Sequence, residues 1–152
     1  MNYERSHFHP STNNWLDLRQ ENVKNSFMTA WCSGAPGIGL GRLGIPGNAL
    51  NLIMYKEIKT AIETTIKQGF GDNHCLCHGD LGNIDLLLIA NAKLDYPEIV
   101  RKTEKIASQI LDNLQKNNLR CGVPLGIETP GLMTGLAGIG YGLLRLYQGK
   151  RI

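Results

Sequence analysis

Cys32 and the adjacent pair Cys77-His78 are the residues of this chain best suited to chemistry. Two thiolates and an imidazole form a donor set that suits Zn²⁺. Each cysteine opens a glycine-rich stretch, CSGAPGIGLGRL at 32–43 and CHGDLGNIDLLL at 77–88. A third stretch, MTGLAGIGYGLLRL at 133–146, carries Met133 and Thr134 at the matching places, so the count stops at three protein ligands. Three ligands leave a fourth position open, which marks a catalytic rather than a structural zinc. The same residues also have a plainer reading. Free cysteine is among the most buried residue types, and one that opens an apolar helix is often only packed there. Cys75, in C-L-C-H, competes with Cys77 for the ligand role, and the repeat alignment favours Cys77. His74, in G-D-N-H, reads as solvent-facing, Cys121 as packing, and His7 and His9 as surface residues.

The elements that must position these groups follow from the repeat. Aligned on Gly34, Gly79 and Gly135, each stretch has a second glycine three residues later, at Gly37, Gly82 and Gly138. Each then runs into an apolar, helix-like segment, with short helices expected to start near 36, 80 and 135. Between them lie two long amphipathic segments. Residues 49–68 place Tyr55, Ile58, Ile62 and Ile66 on one stripe at helical spacing, with Gly69 placed to end the helix. Residues 97–116 start on Pro97 and Glu98, as a first helical turn prefers, and carry Ile99, Thr103, Ile106, Ile110 and Leu114 on theirs. Asn117 and Asn118 break that helix. No segment alternates with a period of two. The expected fold is therefore all-α, built of stacked helical hairpins in two layers. The glycine-rich helices crowd together inside and the long charged ones shield them. Residues 1–24 read as an irregular lead-in pinned by Phe8, Trp15 and Leu18, and residues 25–152 as the hairpin repeats. GLGRLG at 39–44 matches a dinucleotide-binding pattern, but the motif needs a βαβ unit, and the segment that follows reads as helix.

Composition excludes several classes. The chain has 152 residues, 42% hydrophobic and 19% charged, which is enough apolar material for a packed core. A net charge of +3 is too small to argue for a nucleic-acid or anionic-membrane partner. No apolar run approaches the length of a membrane helix, and the polar N-terminus lacks a signal-peptide core. The expectation is a cytoplasmic protein with its four cysteines as thiols.

W-C-S-G-A-P-G-I-G-L-G-R-L, C-H-G-D-L-G-N and P-G-L-M-T-G-L-A-G-I-G-Y-G-L-L-R-L, taken in order, resemble the lanthionine synthetase C-like peptide cyclases. The N-terminal Y-E-R-S-x-F…N-N-W-L-D-L-R is similar to the stretch before the first zinc cysteine of class II, bifunctional lanthipeptide synthetases. The resemblance spans Tyr3 to about Leu146. It implies an α/α toroid, of which residues 1–152 would be the C-terminal portion. It also implies Zn²⁺ held by Cys32, Cys77 and His78. The implied reaction adds a cysteine thiol of a dehydrated precursor peptide to dehydroalanine or dehydrobutyrine, forming a thioether ring. Attack at the β-carbon gives an enolate that a general acid must protonate. The family's proposed acid/base histidine, in an H-G motif before the first zinc cysteine, has no match here. His7 and His9 are not followed by glycine, so no catalytic residue is carried over. The upstream half of the toroid would then be a partner. Two other functions stay open: a zinc- and peptide-holding module without turnover, and a thiol-adding protein that uses glutathione.

Overall fold

The computed structural model of the chain describes residues 1–19 and 26–149. Among the described residues there are six α-helices: α1 (Asn2–Ser6), α2 (Ala35–Leu43), α3 (Leu52–Gln68), α4 (Asp80–Lys93), α5 (Pro97–Asn117) and α6 (Leu136–Gly149). The all-α expectation holds, and the three glycine-rich helices begin within a residue of their expected starts. α3 starts three residues later than expected. Residues 47–49 wind into a 3₁₀ turn, and the Asn51 side chain caps the helix by accepting the Met54 N–H at 3.0 Å.

The two helix types separate into layers. α4 packs against α2 on one side and α6 on the other, while α3 lies on α2 and α5 on α4. α4 accordingly buries most of its circumference, including Leu81, Ile84, Leu86, Leu87 and Ala90. Gly39 of α2 and Gly142 of α6 make these approaches possible. A Cβ on Gly39 would lie 2.7 Å from Leu86 of α4, and one on Gly142 would lie 2.7 Å from Leu81. The outer helices bury one stripe each, as amphipathic surface helices do. In α5 this is Thr103, Ile106, Ala107 and Ile110, with Ile99 and Leu114 at its margins. In α3 it is Met54, Ile58, Ala61, Ile62 and Thr65. Tyr55, expected on that stripe, is instead 41% exposed, because the buried face is rotated toward Met54 and Ala61. GLGRLG closes α2, and among the described residues no strand leads directly into that helix and α3 follows it in place of a second strand, which removes the dinucleotide reading.

The lead-in departs from expectation. It contains α1 and a two-stranded antiparallel ribbon, β1 (Phe8–His9) with β2 (Asn14–Trp15), each strand too short to show alternation. Trp15 is buried against Phe8, but Leu18 points outward and pins nothing. Arg42 of α2, itself buried, fastens α1 to the body. It donates to Glu57 of α3 at 2.8 Å and to Glu4 of α1 at 2.7 Å, and Arg5 joins it on Glu57 at 2.5 Å. Burial alone would raise the Glu57 carboxyl pKa, yet the two guanidinium groups hold it below its usual range. Positions 20–24 of the expected lead-in, and 25 and 150–152 of the expected repeats, lie outside the described residues.

Candidate metal centre

The turns before α2, α4 and α6 carry the site, and one local rule shapes all three. In each, the loop winds so tightly under the helix that a Cβ on the first glycine of the pair would strike a carbonyl six residues back. For Gly34 this is Met28 O at 1.9 Å, for Gly79 Asn73 O at 2.5 Å, and for Gly135 Thr129 O at 2.3 Å. The second glycine obeys the same offset: Gly37 meets Trp31 O at 2.4 Å, and Gly82 and Gly138 meet Leu76 O and Leu132 O at 1.8 Å. The repeated glycines therefore clear space for backbone, which only a residue without Cβ can do.

Hydrogen bonds then join the turns side by side. The Cys32 N–H donates to the Cys77 carbonyl at 3.1 Å, and the Cys77 N–H donates to the Met133 carbonyl at 2.8 Å. Positions equivalent in sequence thus become neighbours in space. Asn83, buried in α4, clamps two loops by donating to Thr29 O at 2.8 Å and Gly69 O at 2.6 Å. Asn14 fixes the first turn: its Oδ1 accepts the Ala35 N–H at 2.8 Å while its Nδ2 donates to Met28 O.

The result is a cluster. Ligand atoms of Cys32, Cys77 and His78 all lie within 4.8 Å of one another, and each residue is half-buried. Zn–S bonds of about 2.3 Å in a tetrahedral shell bring donors to within about 4 Å of one another, so a small contraction suffices to close on an ion. The chemistry of the donors agrees. Burial, followed by the neighbouring Cys32, pushes the Cys77 thiol up to about 11 without a cation. A bound divalent ion removes that obstacle by stabilising the thiolate.

The neighbours divide the remaining sequence candidates. Cys75 is fully buried and stands outside the cluster; its Sγ accepts the His78 backbone N–H at 3.4 Å, which holds the loop that presents His78. Burial raises its thiol pKa as well. Cys121 is buried packing, as expected. His74 is not solvent-facing. It is fully buried, donates its backbone N–H to Arg120 O at 3.0 Å, and accepts the Arg120 N–H on Nδ1 at 3.0 Å. The polar loop G-D-N-H folds under the 118–122 turn, and His74 replaces the water its sequence context suggests. His7 and His9 are half-buried rather than on the surface, His7 against the Tyr3 ring and His9 against Phe27.

Two features escaped sequence reasoning. Gly122 forms the floor of the site: a Cβ there would sit 2.4 Å from Cys75 Sγ and 2.9 Å from His78 Nε2. The glycine after Cys121 was the available signal. The other is the pair Asp17 and Arg19, inside the W-L-D-L-R run, whose guanidinium reaches Cys32 Sγ at 3.6 Å. No helix among the described residues is long and apolar enough to cross a membrane.

A layered all-α protein with a soft, partly open ligand set on its inter-helix turns is the class defined by this fold and site. The sequence profile of the Lanthionine synthetase C-like protein family matches residues 1–152. The chain belongs to that family. It is also 33% identical, over 154 aligned residues and 90% of its length, to the lacticin 481/lactococcin biosynthesis protein LcnDR2 of Lactococcus lactis subsp. lactis. The alignment covers 16% of that relative, so the chain spans about one sixth of its length.

Proposed function

We propose that residues 1–152 are the metal-bearing, C-terminal portion of a zinc-dependent peptide cyclase domain, an arc of an α/α toroid. On this reading the protein helps form (methyl)lanthionine rings from a dehydrated precursor peptide. The convergence of Cys32, Cys77 and His78 in a half-exposed cluster is the observation that carries it. Family membership and the biosynthetic role in the name of its lactococcal relative support the substrate class.

Zn²⁺ bound there would hold an incoming cysteine as thiolate at neutral pH. The protein's own part is positional. Cys32 and Cys77 supply two negative ligands, which leave a third sulfur electron-rich enough to react. His78 completes the set, with its loop anchored through Cys75. The half-exposure of the cluster leaves a direction from which a peptide can approach. In the addition, sulfur bonds to the β-carbon, the alkene pair moves onto the carbonyl as an enolate, and the α-carbon takes a proton. The histidine assigned to that proton in the family has no counterpart N-terminal of Cys32. The isolated chain is therefore proposed to bind zinc and peptide but to turn over slowly.

Elemental analysis of purified protein tests the assignment. The expected result is one zinc per chain, lost in Cys32→Ala, Cys77→Ala and His78→Ala and retained in Cys75→Ala and Cys121→Ala. Full occupancy in all of the first three variants would sink it.

A further inference from the structure

The cluster raises a problem of selectivity. On this reading, which rests on the zinc assignment above, the ion holds two protein thiolates beside the substrate's. Each of the three is a nucleophile within reach of the same electrophilic alkene. Were Cys32 to add, its sulfur would bond to the β-carbon, the alkene pair would pass to the carbonyl, and the α-carbon would be protonated. The chain would then carry a thioether, a poor zinc donor, in place of a ligand.

Among the described residues, Cys32 has at its sulfur a cationic hydrogen-bond donor that Cys77 lacks. Arg19 Nη1 donates to Cys32 Sγ at 3.6 Å, and Nη2 reaches Met28 Sδ at 3.0 Å. The guanidinium is half-exposed, yet it is not free to wander. Asp17, buried, grips it with both oxygens, from Nε and from Nη2, each at 2.8 Å, and also accepts the Arg19 backbone N–H. Asp17 is itself held by its own N–H, which donates to Ser26 O at 2.8 Å. A carboxylate fork that fixes an arginine and leaves one N–H aimed at a sulfur is a built arrangement. Charge-assisted hydrogen bonds are strong, and bonds to a ligating sulfur draw electron density from it. A thiolate so bonded stays a ligand and becomes a weaker nucleophile.

We propose that Arg19, braced by Asp17, is a positioning residue that keeps Cys32 a spectator ligand by donating a hydrogen bond to its sulfur, so that the substrate thiolate and not Cys32 adds to the alkene. Cys77 receives no hydrogen bond from Arg19 among the described residues, only the longer-range effect of its charge, and serves as the comparison.

The test uses the zinc-loaded full chain and acrylamide, a simple Michael acceptor, with the modified cysteines located by peptide mass spectrometry. In Arg19→Gln, compared with wild type in excess zinc so that both proteins are fully loaded, the ratio of Cys32 to Cys77 alkylation should rise about ten-fold, the size of effect that loss of a bond to a ligand typically has. Arg19→Lys, which keeps a donor and the charge, should recover part of the difference. Asp17→Asn, which leaves the arginine in place but loosens its brace, should move the ratio in the same direction as Arg19→Gln. Cobalt substitution gives a second readout: the sulfur-to-metal charge-transfer band should move to lower energy in Arg19→Gln, because the sulfur becomes a better donor. An unchanged alkylation ratio in a zinc-replete Arg19→Gln protein would overturn the inference while leaving the zinc site standing. A wild-type chain that takes up no zinc would instead overturn the reading beneath it.

Discussion

His74 shows how much one side chain can depend on its proton. It is fully buried, and its Nδ1 accepts a hydrogen bond from Arg120, so the neutral ring carries its proton on Nε2. Burial first, and the nearby Arg120 charge second, lower its pKa below the usual value, with the Asn113 side chain, an acceptor for the ring, opposing them in part. In the unfolded chain the ring takes up a proton near pH 6.5, whereas in the folded chain it does so only at lower pH. The unfolded state therefore binds more protons in that window. Stability is complete above about pH 6.5 and declines as the pH falls from there toward the folded value. Urea unfolding at a series of pH values should show the decline in a Cys32→Ala background, which removes a ligand of the proposed zinc and with it any proton competition for the ion. The added variant His74→Asn should flatten it. Equal slopes with and without the histidine would remove His74 as the cause.

At the scale of the element, the glycines fall into two kinds that the sequence alone does not separate. Gly82 sits where a Cβ would collide with the Leu76 carbonyl, while Gly140, inside α6, has open space around it. Gly82→Ala should destabilise the fold by about 2–3 kcal/mol, since backbone and not a mobile side chain must shift. It should also disturb the Cys77 turn and, on the proposed assignment, lower zinc occupancy. Gly140→Ala should stabilise by about 0.5–1 kcal/mol through helix propensity. Thermal unfolding of the two variants compares them directly, and a Gly82→Ala protein as stable as Gly140→Ala would refute the account. Periodicity made α3 and α5 legible in the sequence, because each buries a single stripe. The glycine spacing made the turns legible, because the same collision recurs three times. The ribbon at Phe8–Trp15 was not legible, since two-residue strands carry no period. Nor was the burial of His74, which depends on a turn more than forty residues away. Cys32, Cys77 and His78 could be named from the sequence because the repeat puts the cysteines at equivalent positions. Arg19 could not, because nothing in its spacing points at Cys32.

For the whole molecule the layers have consequences at their edges. α6 lies on α4 and turns Tyr141 and Leu144 outward, 51% and 63% exposed. Apolar side chains grouped on one helix face favour association. The chain alone should therefore be concentration-dependent in sedimentation, and Leu144→Lys should shift it toward monomer. A chain that stays monomeric at high concentration, with or without that change, would contradict this. On the proposed reading, the acid/base histidine not matched N-terminal of Cys32 bears on rate. A positioned general acid is typically worth about 10²–10⁴-fold, so thioether formation by this chain alone should fall well below that of a complete cyclase domain. Mass analysis of a dehydrated precursor, after blocking its remaining thiols, gives the comparison. A matching rate would mean that a residue within these 152 does the missing work.

The two backbone hydrogen bonds between equivalent turn positions run in one sense, from the N–H of an earlier position to the carbonyl of the next. Cys32 gives to Cys77, and Cys77 gives to Met133, although 45 residues separate the first two and 56 the second two. Such a chain of donors has a grammar but no fixed length. A duplicated segment needs only to keep its two glycines and its turn to join the row, whatever the length of the outer helix that follows. The residue at the donor position is then free to vary, as cysteine, cysteine and methionine do here. A side chain at the donor position can thus change, from cysteine to methionine, without disturbing the frame of backbone bonds that carries it.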